Sequence, residues 1–194
     1  MYSIPTYVEI EGKKFHIRNN GDYRTILDCF GALSDDELDV KERMSACLII
    51  FYDEVDSIED IAKLGDVEIA VKKMFEFFNC GHSRTMGIKT NYKLVDWQQD
   101  EHLICSAINK VAGKEIRFES YIHWWTFMGY YMAIGESPLS TIISIRDKLI
   151  KGKKLEKHEQ EFKRDNPEYF VWRSKTVEET EADRLVREMW NSGG

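Results

Sequence analysis

The sequence contains few residues that interrupt regular secondary structure, and it lacks a long hydrophobic run. Its only prolines are Pro5, Pro138 and Pro167, so long stretches are free to be helical, because proline breaks helix interiors. The longest apolar stretch, residues 122–134, is shorter than the roughly 18 residues that a membrane-spanning helix needs. The N-terminus lacks a basic start followed by an apolar run, so we expect neither a secretory signal nor a membrane partner.

Cysteine pairs and catalytic motifs are also absent from the sequence. The four cysteines lie far apart without paired spacing, and three of them have apolar neighbours, which predicts reduced, buried thiols in a cytosolic protein. The sequence has no glycine-rich phosphate loop, no GxSxG motif and no HExxH motif. We therefore predict a non-enzymatic protein without a cofactor.

The composition is that of an ordinary globular protein, with 43% hydrophobic and 31% charged residues. A chain of 194 residues suits one domain with an appended tail. We place the domain at residues 1–165 and the tail at residues 166–194. The formal net charge of −7 argues against nucleic acid as the main partner, because nucleic-acid-binding domains are usually basic.

The pattern of apolar residues predicts a mainly α fold with a small N-terminal β-hairpin. Residues 6–18 alternate around Glu11-Gly12, as in two strands joined by a tight turn. Further along, apolar residues recur at helical spacing, and Ser34 with Glu37 forms a capping pattern. Residues 81–93 show no period and predict a loop. The predicted helices begin near Asp22, Ser34, Ser57, Asp66, Asp96, Glu119, Ser137, Leu155 and Thr176.

The segment IHWWTFMGYYMAIGES, residues 122–137, is aromatic and apolar on every side. We predict a helix from about Glu119 to Ile134, and a helix that is apolar all round is usually buried. Its aromatic side chains could instead stack on bases or on a ligand, or line a groove for a partner helix. Trp125 and Tyr131 are our candidates for partner contact.

Basic residues are concentrated between residues 145 and 162, and intervening acidic residues dilute their charge. A solvated helix face is the simplest interpretation. The alternatives are an electrostatic contact with an acidic protein surface, including this chain's own tail, and a contact with nucleic acid. Three of these residues, Arg146, Lys153 and Lys154, complete the candidate partner-binding set. The basic residues are Arg146, Lys148, Lys151, Lys153, Lys154 and Lys157.

The C-terminal tail predicts an amphipathic helix from Thr176 through Trp190. Acidic residues near its start favour the helix dipole, and its apolar stripe has to cover a surface on its own domain or on another chain. We favour docking within the chain. The acidic residues are Glu178, Glu179, Glu181 and Asp183, and the stripe consists of Leu185, Val186, Met189 and Trp190.

Two residue pairs have spacings that are compatible with a metal site or with an acid–base pair. His102 and Cys105 stand three apart on a predicted helix and could supply two zinc ligands. Glu119 and His123 stand four apart and could form an acid–base pair. Neither pair has the further ligands or the nucleophile that such a site requires. We therefore interpret the first pair as an exposed histidine near a buried thiol and the second as a local ion pair or a histidine at the edge of the core, and we predict no metal site.

Several short motifs match a known protein family. Over residues 96–167 the sequence resembles the bacteriophage gene-product-fifteen family, whose members occur in phages and prophages of Gram-positive bacteria. The matching motifs are His123-Trp124-Trp125-Thr126-Phe127, Ile145-Arg146 with Lys148, Lys151-Gly152-Lys153-Lys154-Leu155, Asp96-Trp97, Asp100, Ala107-Ile108-Asn109 and Gly113.

The resemblance implies a function in assembly of the phage tail. Family members are usually encoded close to the major tail protein and the tape-measure protein. This implies a tail-assembly chaperone or assembly factor in the host cytoplasm, which covers the coiled-coil-prone tape-measure chain, or another tail protein, until tail-tube protein replaces it. The alternative is a structural virion component, such as a tail-completion or connector protein. Self-association into a homo-oligomer is compatible with both, and the resemblance implies no catalytic residue.

Overall fold

In a computed structural model of the chain, residues 3–82 and 94–172 are described. Their contacts form two compact units, and each is treated by itself. Unit 1 contains residues 3–82 and 121–128, and unit 2 contains residues 94–120 and 129–172. The described residues are mainly helical with one antiparallel hairpin, which confirms the predicted fold class.

The hairpin of unit 1 consists of β1 (Tyr7–Ile10) and β2 (Lys13–His16), with Val8 opposite Phe15. Glu11 and Gly12 both have positive φ values, 49° and 77°, as a two-residue turn that matches the twist of the strands requires. Ile10 and Phe15 are buried. At the end of β2 the backbone N–H of His16 donates to the Glu54 carboxylate at 2.9 Å, and the His16 carbonyl accepts from the N–H of Asp53 at 3.0 Å.

Three helices complete unit 1: α1 (Tyr23–Leu33), α2 (Val40–Phe51) and α3 (Val67–Phe78). Asp22 and Asp66 accept hydrogen bonds from the free N–H groups at the starts of α1 and α3. A short 3-10 helix, Glu59–Leu64, precedes α3. The core of unit 1 is rich in aromatic and sulfur-containing side chains, including Phe51, Tyr52, Met74, Phe75, Phe78, Trp124, Phe127, Cys29 and Cys47.

The start of α2 differs from the sequence-based prediction. Asp39, not Ser34, is the cap, since its carboxylate accepts from the N–H of Glu42 while the Glu42 carboxylate accepts from the N–H of Asp39. Both Ser34 with Glu37 and Asp39 with Glu42 fit the capping pattern. A bond from Arg43 accompanies the second pattern. The Arg43 Nε donates to the carbonyl of Leu38 at 2.9 Å and so connects the helix to the turn that precedes it.

Unit 2 contains α4 (Glu101–Ala112), α6 (Pro138–Ile150) and α7 (Lys157–Asp165), with short 3-10 helices at Ile116–Phe118 and Pro167–Phe170. The predicted start of α6 is confirmed: Ser137 caps it and Pro138 occupies its first turn. The predicted start of α4, near Asp96, is wrong by four residues, since Asp100 is the residue before the helix. Asp96 accepts from the N–H groups of Gln98 and Gln99 and thereby closes a turn that precedes the helix.

The aromatic helix α5 (Trp124–Met132) begins in unit 1 and ends in unit 2. Our prediction of a helix from Glu119 is wrong at its N-terminal end. The backbone of Ile122 is extended, because its N–H donates to the Asp22 carboxylate at 3.0 Å and its carbonyl accepts from the N–H of Tyr23 at 2.9 Å. These bonds to α1 replace the helical ones.

Within residues 3–82 and 94–172, no helix combines the length and the apolar character needed to cross a bilayer. The predicted tail helix, from Thr176 through Trp190, lies outside the described residues, as does most of the predicted loop at residues 81–93. Residues 166–172, which we assigned to the tail, contact α6 and α7 of unit 2. The proposed boundary between residues 165 and 166 stays a prediction.

Candidate partner-binding surface

Arg146 lies in the interior of unit 2, where α6 faces α4. Its guanidinium donates to both carboxylate oxygens of Asp100, at 2.6 and 2.9 Å. The two side chains are 3% and 0% exposed. A buried arginine requires such a bidentate partner, because an unpaired charge in the interior is costly. Arg146 therefore supports the structure of unit 2 and, in this conformation, is not available at the surface.

The same guanidinium also holds the last described segment of the chain. It donates to the carbonyl of Tyr169 at 2.7 and 2.9 Å and to that of Leu94 at 3.0 Å. The Trp172 ring lies over its face, 4.3 Å from the Arg146 carbon to the ring centroid, which is cation–π geometry. In addition, the Gln99 amide donates to the carbonyl of Val171 at 3.0 Å. Residues 167–172 are thus fastened to α4 and α6.

Two further members of the basic segment form ion pairs within unit 2. Lys148 donates to both oxygens of Glu159 on α7, at 2.7 and 2.8 Å. This pairing lowers the pKa of Glu159 and raises the pKa of Lys148. Lys151 pairs with Asp147 one turn earlier on α6. These lysines are occupied by this chain's own carboxylates.

Two of the three remaining basic residues, Lys153 and Lys154, follow the C-terminal end of α6 beside exposed apolar side chains, and the third, Lys157, begins α7. Leu149 and Ile150 are 36% and 42% exposed. Lys153 and Lys154 follow directly, are exposed, and make no ion pair with a described residue. We call Leu149, Ile150, Lys153 and Lys154 the α6-end surface. It combines apolar contact area with positive charge that no carboxylate among the described residues pairs with, and an amphipathic, acidic helix would complement both properties.

The two candidate aromatic residues are only partly accessible. Trp125, in unit 1, is half-buried against Phe77 and donates its indole N–H to the Phe77 carbonyl at 3.0 Å. Tyr131, in unit 2, is half-buried with its ring 5.3 Å from that of Trp97, and burial raises its pKa. Each therefore offers part of a ring to a partner, and their role as contacts stays a prediction.

His123 is a buried histidine, which agrees with one of our two interpretations, and its ring nitrogens bond to groups other than Glu119. Its Nε2 lies 2.9 Å from the carbonyl oxygen of Pro5, and its Nδ1 accepts from the N–H of Trp125 at 3.0 Å. Glu119 instead pairs with Lys114 at 3.2 Å. This arrangement requires a neutral imidazole protonated on Nε2, and burial lowers the pKa of His123 accordingly. The residue connects backbone segments of unit 1.

His102 is exposed and Cys105 is buried, as we expected of this pair. The His102 ring contacts Tyr169, with Nε2 3.2 Å from the phenolic oxygen. Cys105 is buried, and burial raises its pKa, which opposes the thiolate form that binds zinc. Among residues 3–82 and 94–172, no three histidine, cysteine or acidic side chains are grouped as metal ligands.

Sequence reasoning missed the ion-pair partners of Arg146 and Lys148. Asp100 was noted only as part of the family resemblance, and Glu159 only as one of the acidic residues that dilute the basic segment. Neither is close in sequence to the residue it pairs with, so no local spacing signals the contact. A charged residue on the apolar face of a predicted helix was the available signal: Arg146 is four residues after Ile142, which is fully buried, and residues four apart share a helix face.

Comparisons with known proteins agree with the sequence motifs. The model of the family described as Bacteriophage Gp15 protein matches residues 2–170. No curated protein and no solved structure gives a significant match. The family match covers most of the 194 residues and includes every helix and strand described above. The chain belongs to the bacteriophage Gp15 protein family and is a phage structural or assembly protein.

Proposed function

We propose that this protein is a tail-assembly chaperone or assembly factor that binds the tape-measure protein, or another tail protein, in the bacterial host before the tail is built. Family membership supports a role in the phage particle or in its assembly. The resemblance adds the tape-measure chain as the expected partner. Such a chain presents apolar helical stripes of the kind that form coiled coils, and these stripes need cover until the tail tube encloses them.

The observation that carries the proposal is the composition of the α6-end surface. Leu149 and Ile150 supply apolar area, and Lys153 and Lys154 supply charge that no described residue neutralises. A helix from the partner, with its apolar face on Leu149 and Ile150 and acidic residues at its flank, satisfies both properties. The internal ion pairs of Lys148 and Lys151 hold the helix end rigid, which lowers the entropy cost of binding.

The other predicted contacts have different parts in this proposal. Trp125 and Tyr131 contribute the exposed edges of half-buried rings as secondary contacts in their own units. Arg146 acts indirectly, because its bonds to Asp100 fix the helix on which the surface lies. A change at Arg146 is therefore expected to weaken binding only through loss of structure.

Co-expression with the tape-measure protein and pull-down tests the proposal. The complex is expected at low and moderate salt, and Lys153→Glu/Lys154→Glu is expected to reduce capture at least about tenfold by reversing the charge. Ile150→Asp is expected to do the same by removing apolar contact. Ile58→Asp is the matched control, since Ile58 lies in unit 1 and is 68% exposed. Absence of any complex with the unmodified protein would contradict the proposal.

Mass spectrometry of purified phage particles separates this proposal from its main alternative. A chaperone leaves once tail-tube protein has replaced it, so it is expected to be absent from mature particles. Recovery of this protein at a fixed number of copies per particle would instead identify a structural virion component, such as a tail-completion or connector protein.

A further inference from the structure

Three consecutive residues of unit 1 have left-handed backbone conformations. Asn19 and Asn20 both have φ values of 52°, and Gly21 has a φ of 74°. Such residues normally occur singly, because the Cβ atom of an L-residue then crowds the carbonyl oxygen, and only glycine, asparagine and aspartate tolerate this well. At position 21 glycine is also required by space, since a Cβ atom would lie 2.8 Å from the Phe77 ring. The turn therefore restricts which residues can occupy it.

The residues that occupy this turn form a chemically reactive pair. Asparagine is a labile residue, and it loses ammonia most readily before glycine, whose backbone nitrogen no side chain shields. In this deamidation the Gly21 nitrogen attacks the side-chain carbon Cγ of Asn20 and forms a C–N bond. The side-chain nitrogen leaves as ammonia and takes the proton of the Gly21 N–H. Water then opens the succinimide ring at either carbonyl, which gives aspartate or isoaspartate.

The folded conformation of Asn20 opposes this reaction, although the residue is exposed to water. At its ψ of 29° the Cβ atom lies on the same side as the residue's own carbonyl oxygen. The Gly21 nitrogen is on the other side of the planar carbonyl carbon and points away from Cγ. The Tyr121 hydroxyl donates to the Asn20 carbonyl at 2.9 Å, so the peptide cannot rotate into the reactive orientation without breaking this bond.

We propose that Asn20-Gly21 is a conformationally gated deamidation site, closed in the folded protein and open when the turn unfolds. Isoaspartate adds one carbon atom to the backbone, and the turn cannot absorb it, because Gly21 is buried against Phe77. The change also displaces Asp22, which caps α1 and bonds to Ile122. A chain that forms isoaspartate while unfolded therefore cannot rebuild the turn. This property is independent of any tail partner.

Deamidation of the full-length protein at mildly alkaline pH tests the gate. Peptide mass spectrometry follows conversion of the peptide that contains Asn20, in native buffer and in guanidinium chloride. Conversion is expected to be at least about tenfold slower in native buffer, because the reaction then waits for local opening of the turn. Equal rates in the two solutions would overturn the proposal.

The variant Tyr121→Phe loosens the turn without changing the reacting residues. It is expected to raise the rate in native buffer about threefold, because it removes the hydrogen bond to the Asn20 carbonyl, and to leave the rate in guanidinium chloride unchanged. Tyr7→Phe is the matched control, since Tyr7 and Tyr121 are similarly exposed, at 40% and 44%, and it is expected to leave both rates unchanged. The same native rate in Tyr121→Phe as in the unmodified protein would overturn the role assigned to this bond.

Refolding tests the consequence of the reaction. Chains converted in guanidinium chloride are separated by chromatography into aspartate and isoaspartate products and returned to native buffer. The ratio of folded to unfolded chains is expected to be at least about tenfold lower for the isoaspartate product. Asn20→Asp is the control and is expected to refold, because it has the same charge on a normal backbone and aspartate tolerates positive φ. Full recovery of the native circular dichroism spectrum by the isoaspartate product would overturn this part of the proposal.

Discussion

The indole N–H of Trp124 donates a 2.9 Å hydrogen bond to the carbonyl oxygen of Phe78, the last residue of α3. Trp125 makes the equivalent bond to the preceding carbonyl, that of Phe77. The last carbonyls of a helix have no partner within it, and Trp124 supplies a donor to that of Phe78. The Phe77 carbonyl also accepts from the backbone N–H of Cys80 at 2.9 Å, so Trp125 adds a further donor there. With the His123 bond to Pro5, the His-Trp-Trp motif fastens separate segments of unit 1. These bonds give the His-Trp-Trp motif a structural role in unit 1.

Replacing Trp124 tests this role. We expect Trp124→Phe to lower the free energy of unfolding by about 1–3 kcal/mol, because it keeps an aromatic ring but removes the buried hydrogen bond to the Phe78 carbonyl. Trp125→Phe is the matched control and is expected to cost less, since Trp125 is only half-buried and water can replace its N–H. Urea unfolding monitored by circular dichroism measures both. Equal losses would show that the hydrogen bond to Phe78 is not the cause.

Arg146 provides a second stability prediction. We expect Arg146→Met to destabilise unit 2 by about 3–5 kcal/mol, because it leaves the Asp100 carboxylate buried and unpaired. The double variant Arg146→Met/Asp100→Leu is expected to recover part of this loss, since it removes that charge as well. Recovery cannot be complete, because the Tyr169 carbonyl also loses its donors. Urea unfolding measures the difference, and a double variant less stable than Arg146→Met would contradict the assignment.

His123 makes stability depend on pH in a defined direction. Its pKa in the folded protein is lowered from 6.5 by burial, so the unfolded chain binds a proton at a higher pH than the folded chain does. The stabilising contribution is therefore complete above about pH 6.5 and is lost as the pH falls from there through the lowered pKa. Thermal unfolding between pH 7.5 and 5 is expected to show this decrease.

The control for the pH prediction is His123→Gln, whose amide nitrogen can occupy the place of Nε2 and donate to Pro5 without titrating. Its unfolding temperature is expected to vary less with pH across this range. The carboxylates whose pKa values are lowered by ion pairing, such as Glu159, act only at more acidic pH. An unchanged pH profile in His123→Gln would assign the effect to another group.

Gly21 is a position where a side chain is excluded by both conformation and space. Its φ is +74°, and a Cβ atom there would lie 2.8 Å from the ring of Phe77, which is buried. Gly113 has a similar φ of +69° with open space around its Cβ position. Both Gly→Ala variants share the left-handed strain of about 1 kcal/mol. We expect Gly21→Ala to lose about 1–3 kcal/mol more in urea unfolding, because of overpacking; equal losses would refute the clash.

Local sequence signals were sufficient where a structural element depends on its own residues. The hairpin follows from alternation around Glu11-Gly12, and α6 follows from Ser137 and Pro138, because turns and caps are decided by atoms a few positions apart. The same reasoning failed at α2, where two overlapping capping patterns compete. A bond from Arg43 to the Leu38 carbonyl, which periodicity does not reveal, accompanies the second pattern.

The candidate surface was predicted in part. Lys153 and Lys154 were named from their charge alone, and they are exposed without an ion pair to a described residue. Arg146 was named on the same ground but is buried, because its partner Asp100 lies 46 positions away. Formal charge in a sequence therefore does not distinguish a cation that faces solvent from one that is neutralised by a distant carboxylate.

The sequence by itself determined the helical class of this protein, its hairpin, most helix starts and its membership of a phage family. These features depend on short-range patterns and on short sequence motifs, which can be read without the fold. Only the tertiary structure decided what the motifs do. In the folded chain the two tryptophans donate to carbonyls at the end of α3, and the backbone of Ile122 bonds to the start of α1. The basic segment contains a buried arginine, two lysines in ion pairs and three exposed lysines. Each of these outcomes depends on which distant backbone or carboxylate group comes within hydrogen-bonding distance, and that is fixed only when the chain has folded.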